Sequence, residues 1–100
     1  MVRIISRRTL REFWEQPNYS DSKGQLESWH DEVLKADWST PQEVKAQFRS
    51  ASILKNNRVV FNIAGNKYRI IVRMDYQWKL VFVRFIGTHT QYDQVNADEV

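Results

Sequence analysis

Arg58-Val59-Val60-Phe61-Asn62-Ile63, the turn Ala64-Gly65-Asn66-Lys67, and Tyr68-Arg69-Ile70-Ile71-Val72-Arg73-Met74 form the stretch on which the fold turns. Val59, Phe61 and Ile63 alternate with Arg58, Val60 and Asn62, a period of two that predicts a strand with one face buried. Gly65-Asn66 stands where a tight hairpin needs residues tolerant of positive φ. The return strand alternates Tyr68, Ile70, Val72 and Met74 with Lys67, Arg69, Ile71 and Arg73, so Arg69 and Arg73 share a face. After a turn near Asp75-Tyr76-Gln77, Leu80 to Ile86 is apolar on both sides, as a central strand is. Its one charge, Arg84, has the parity of Phe82 and Ile86, and a charge there must be paired or reach water.

Working outward, Arg3-Ile4-Ile5 reads as a short opening strand, and Ser6 as the cap of a helix with Leu10, Phe13 and Trp14 on one side. Pro17 and Asn18 end that helix. Ser22-Lys23-Gly24-Gln25 has capping-box spacing ahead of a second helix carrying Leu26, Trp29 and Val33. Thr40-Pro41-Gln42-Glu43 is a stronger signal for a third, short helix with Val44 and Phe48 inward and Lys45 outward. The expected fold is α+β: an antiparallel sheet of three to four strands, two N-terminal helices on one face, and a short additional helix. Residues 1–100 read as a single domain, the size that supports one core.

Charge is segregated. Residues 1–40 hold six Lys/Arg against seven Asp/Glu, residues 41–90 hold nine against two, and residues 91–100 hold none against three. That concentration on the strands suggests a polyanionic partner, with a merely solvated set of strand cations as the plain alternative. There are no cysteines, which excludes disulfides and thiolate metal sites and is compatible with a reducing cytoplasm. No apolar run approaches the about 20 residues that span a bilayer, and the N-terminus is too briefly apolar for a signal peptide. A cytoplasmic protein without a membrane partner is expected.

Known catalytic patterns are few. His30 on the second helix lacks further ligands at metal spacing, so no metal or other cofactor is expected. A Gly-x-Ser-x-Gly elbow and a Gly-x-x-x-x-Gly-Lys phosphate loop are both absent. His89 remains, where the last strand runs out, followed by Tyr92 and Asp93 within one helical turn. Imidazole exchanges protons near neutral pH. Arginines on the neighbouring strand can hold a phosphate bidentately and stabilise added charge in the transition state. Tyr92 can stack on a base. On the residues alone, a strand-end histidine without catalytic use is the commoner outcome.

Four blocks shift that balance: Lys45-Ala46-Gln47-Phe48, Asn57-Arg58-Val59-Val60-Phe61-Asn62-Ile63, Gly65-Asn66-Lys67-Tyr68-Arg69-Ile70 and Phe85-Ile86-Gly87-Thr88-His89-Thr90-Gln91-Tyr92-Asp93. Together with the order of elements, they resemble HigB-type toxins of type II toxin–antitoxin systems, within the RelE/ParE superfamily. The resemblance implies a metal-independent endoribonuclease, an mRNA interferase that in many relatives cuts messages during translation on the ribosome. The RNA's own 2′-hydroxyl would attack the adjacent phosphate. It implies a phosphate-binding role for Arg69 and a catalytic role for His89. Arg73 is expected to join Arg69 on the scissile phosphate, Tyr92 to orient the base or the proton, and Lys45, Arg58, Asn62, Lys67 and Arg84 to contact RNA. The lysines that RelE carries on the preceding strand fall on Val60 and Asn62, which leaves the general base open among Arg58, Lys67 and Arg73. A HigA-like helix-turn-helix antitoxin is the implied partner, and DNA is reached only through that complex. A ParE-like gyrase poison and a plain RNA-binding module are the competing readings.

Overall fold

The computed structural model describes residues 2–100. Its elements are β1 (Arg3–Ile5), α1 (Arg7–Trp14), a 3₁₀ segment (Pro17–Ser22), α2 (Lys23–Leu34), α3 (Pro41–Gln47), β2 (Ser52–Ile53), β3 (Arg58–Ile63), β4 (Tyr68–Asp75), β5 (Leu80–Thr88) and α4 (His89–Tyr92). The strands form a five-stranded sheet in the order β1-β5-β4-β3-β2. Every neighbouring pair is antiparallel except β1 with β5, which run parallel with Arg3 opposite Leu80 and Ile5 opposite Phe82. The expected α+β, RelE-like architecture is present, with more strands than the three to four expected. The opening strand finds its partner some 75 residues on, and β2 extends the far edge.

One face of the sheet carries the core. Val59, Phe61 and Ile63 of β3 and Tyr68, Ile70, Val72 and Met74 of β4 pack with Val81, Leu10, Phe13, Trp14, Leu26, Trp29 and Val33. The period-two and helical apolar positions thus meet in one cluster, as burial of both faces requires. Phe61 sits in an aromatic cage, with ring centroids 5.0 Å from Phe48, 5.3 Å from Trp29 and 6.4 Å from Trp38.

Local capping explains most helix starts. Ser6 accepts from the Thr9 amide, and Thr40 from the Glu43 amide with Pro41 at the first helical position. The predicted cap at Ser22 does not form. Ser22 is fully buried and its hydroxyl donates to the Tyr19 carbonyl at 2.6 Å, closing the 3₁₀ segment that runs directly into α2. In the β3–β4 turn, positive φ falls on Ala64 and Gly65 rather than on Asn66.

The 3₁₀ segment is tied to the start of β4. The Asp21 carboxylate accepts from the Tyr68 hydroxyl at 2.5 Å and from the Lys67 ammonium, and hydrogen bonding to Lys67 and then Tyr68 holds it below the ordinary carboxylate range. A lowered carboxyl contributes stability above its unfolded pKa, and that contribution is lost as pH falls through the folded value. Asp21→Asn is therefore expected to flatten the acid limb of a stability–pH profile measured by urea melts, with the loss of stability fully present near neutral pH and disappearing at low pH, where the native carboxyl is itself protonated.

Candidate active site

The second face of the sheet carries the candidate residues. Register pairs Arg58 with Arg73, Val60 with Ile71, and Asn62 with Arg69 across β3 and β4. Across β4 and β5 it pairs Arg69 with Gly87, Ile71 with Phe85, and Arg73 with Phe82. Between the last two pairs β5 holds one extra residue, Arg84, in a β-bulge. The bulge resets the alternation. Phe82 lies on the basic face while Ile86, opposite Ile70, packs toward the core, so Arg84 does not share a face with both as simple parity predicted.

At one end of this face stands α4. Thr88 caps it, accepting from the Gln91 amide at 3.2 Å, while the Gln91 side chain accepts from the Thr88 amide at 2.9 Å, a reciprocal capping box. Gln91 also donates to the Tyr19 hydroxyl at 3.4 Å, and the Tyr19 ring stacks on Phe13 at 4.4 Å. Gly87 makes room for this arrangement, since a Cβ there would stand 2.6 Å from the Gln91 Oε1 and 2.6 Å from Phe85. Gln91 thus ties the turn to Tyr19 at the edge of the core. His89 and Tyr92, three residues apart, lie along one side of it.

The Arg69 guanidinium packs over the Tyr92 ring at 4.6 Å, and its Nε is buried without a hydrogen-bond partner. His89 is half-exposed, with its Nε2 3.6 Å from the Asp93 carboxylate, an ion pair whenever the imidazole is protonated. Arg69 and Tyr92 are therefore in contact, and His89 stands three residues before Tyr92 on the same short helix.

The other expected residues are dispersed. Arg73 lies four residues from Arg69 along β4, about 13–14 Å at the rise of a strand, and its guanidinium stacks on Phe82 at 4.4 Å. The two arginines share a face as expected, each packed on a different ring, Arg69 on Tyr92 and Arg73 on Phe82. Arg58 and Arg84 both turn toward a main-chain oxygen of Val100. Asn62 donates to the Ser50 carbonyl, Lys45 donates to the Ala51 carbonyl at 2.5 Å, and Lys67 pairs with Asp21. Sequence reasoning missed Gln91, although Thr88-x-x-Gln91 has capping-box spacing. Tyr19 and the fold-back of residues 96–100 carried no local signal.

Among the described residues, no group of three His, Cys, Asp or Glu is placed to hold a metal ion. A cleft of about 580 Å³ lined by Asp31, Leu34, Lys35, Ala36 and Asp37 shares no residue with this face. No helix among the described residues is long and apolar enough to cross a membrane.

Residues 22–95, spanning α2 through α4, match the family described as HigB toxin, the RelE-like toxic component of a toxin–antitoxin system. The chain belongs to the HigB toxin family. It is similar along nearly its whole length to the mRNA interferase toxin HigB of Escherichia coli (strain K12), at 26% identity over 98 residues covering 96% of this chain and 92% of that protein. The mRNA interferase HigB of Escherichia coli O6:H1 is 31% identical over 72 residues, 70% of each chain. The HigB match takes in the whole of the Arg69, His89 and Tyr92 corner and stops before residues 96–100.

Proposed function

We propose that this chain is the mRNA-cleaving toxin of a toxin–antitoxin pair, and that Arg69, His89 and Tyr92 are its working corner. The observation that carries the reading is the packing of Arg69 over Tyr92 beside His89 on one capped turn, within a chain of the HigB family. In the reaction, the 2′-hydroxyl oxygen attacks the adjacent phosphorus and the bond to the departing 5′-oxygen breaks. One group takes the 2′-hydroxyl proton and one delivers a proton to the 5′-oxygen. His89 serves one of these steps. Arg69 binds the phosphate, whose charge grows in the transition state, and Tyr92 holds Arg69 in place while its free edge meets a base.

The substrate is proposed to be mRNA under translation on the ribosome, in the cytoplasm. The partner is a HigA-like helix-turn-helix antitoxin, and contact with DNA runs through that complex. A cut message is expected to end in a 2′,3′-cyclic phosphate facing a 5′-hydroxyl, with cleavage persisting in excess EDTA. Brief induction followed by mapping of new 5′ ends on translated and untranslatable versions of one message checks this. In-frame cuts confined to the translated message support a ribosome-dependent ribonuclease. Growth arrest with blocked replication and intact messages would instead support a ParE-like gyrase poison, and RNA binding without cut products would support a binding module.

A further inference from the structure

The far end of the basic face holds a second, separate convergence of cations. Arg58 stands directly opposite Arg73 across β3 and β4, and Arg84 projects from the bulge in β5. Like charges placed opposite one another in a sheet are unfavourable unless an acceptor or anion lies between them. For Arg58 and Arg84 the acceptor is the chain's own Val100. The Arg58 guanidinium donates to a main-chain oxygen of Val100 through Nε at 3.2 Å and Nη2 at 2.9 Å, and the Arg84 Nε reaches the same oxygen at 3.4 Å. Two guanidinium groups on non-adjacent strands thus meet on one oxygen. Arg73 is held at the adjoining position by its stacking on Phe82.

No Asp or Glu side chain pairs with these three arginines among the described residues, whereas Arg7, Arg8 and Arg11 on α1 each have an acidic partner. Two guanidiniums meeting on one oxygen, with a third held beside them, form an arrangement that can hold a phosphate. The segment supplying the oxygen is lightly fastened. Asn56 donates to the Asp98 carbonyl at 3.2 Å, and Asn96 closes the turn through the Asp98 amide and the Glu99 carboxylate.

We propose that Arg58, Arg73 and Arg84 form a second backbone-phosphate site for single-stranded RNA, and that the turn Asn96–Val100 occupies this site in the unbound chain. The proposal rests on the RNA reading above and assigns Arg73 to this site rather than to the scissile phosphate. RNA binding displaces the Val100 oxygen, and Asp98 and Glu99 leave the face with it.

The test uses the full chain and a short 2′-O-methyl RNA, which cannot undergo 2′-hydroxyl attack, with binding followed by fluorescence anisotropy over a range of salt. Each phosphate contact to a single strand contributes about 0.7 to the slope of log K against log salt. Arg58→Ala, Arg73→Ala and Arg84→Ala are each expected to weaken binding and lower that slope by about 0.7. Arg8→Ala, on the exposed side of α1, should leave the slope unchanged. The double variant Asn56→Ala with Asn96→Ala loosens the turn and should tighten binding severalfold, a gain that misfolding cannot produce. Slopes unchanged in the three arginine variants, or no tightening in the double asparagine variant, overturn the proposal. Because the probe is uncleavable, these results stand apart from the cleavage question. Absence of cut ends in the message-mapping experiment would remove the nuclease reading without touching the binding slopes.

Discussion

Replacing His89 by alanine is expected to lower RNA cleavage by about 10²–10⁴-fold, the usual worth of a general acid or base. The substitution is clean in structural terms. His89 is half-exposed, and α4 is held by the Thr88–Gln91 capping box and by the Gln91–Tyr19 contact, neither of which uses the imidazole. The fold and RNA binding should therefore survive while proton transfer is lost. Cleavage is measured as the rate of appearance of new 5′ ends at matched protein levels, beside the salt-dependent binding of the uncleavable RNA. A variant that binds as tightly but cuts slowly fits the assignment. Undiminished cleavage would remove His89 from the mechanism and turn attention to Arg69 and Tyr92.

The largest effect on stability is expected at Phe61. Its side chain is 1% exposed and touches three other aromatic rings. Truncating a buried Phe to Ala costs about 3–5 kcal/mol, the lost transfer free energy plus the cavity left behind. For a domain whose whole stability is about 5–15 kcal/mol, that is a large fraction. The upper end of the range is favoured because the surrounding rings come from three different places, α2, the α2–α3 connection and the end of α3, which cannot all move inward together. Urea denaturation of Phe61→Ala checks this. A loss under about 1 kcal/mol would mean that the cage collapses onto the gap.

The features that were legible in the sequence are those whose signal lies within a few residues. The alternation through Val59, Phe61 and Ile63 and through Tyr68, Ile70, Val72 and Met74 places the core face of β3 and β4 correctly. Thr40-Pro41-x-Glu43 marks α3, and the polar run after Ile86 marks the turn that carries His89 and Tyr92. What was not legible depends on distant partners. A bulge at Arg84 needs no special residue, so nothing in Val83-Arg84-Phe85 announces that the strand will lose its count there. Ser22 has a cap's composition, yet its hydroxyl is claimed by the Tyr19 carbonyl once the preceding residues tighten into a 3₁₀ turn. The pairing of Arg69 with Tyr92 follows from the β4–β5 register, which alternation alone does not set. Separation of Arg73 from Arg69 was, by contrast, available from spacing alone. Four residues along a strand set their Cα atoms about 13–14 Å apart.

The parallel pairing of β1 with β5 also has a bearing on how the chain is made. Arg3, Ile4 and Ile5 leave a ribosome well before the strand they pair with, Leu80, Val81 and Phe82. At about 5–20 residues per second, the opening strand waits about 4–15 s for its neighbour. The turn bearing His89 follows β5 directly and leans on Tyr19 and Phe13 from the first quarter of the chain. The corner proposed for cleavage consequently cannot form until β5 has been made, so a chain halted before that strand lacks the edge with which it is proposed to meet a message.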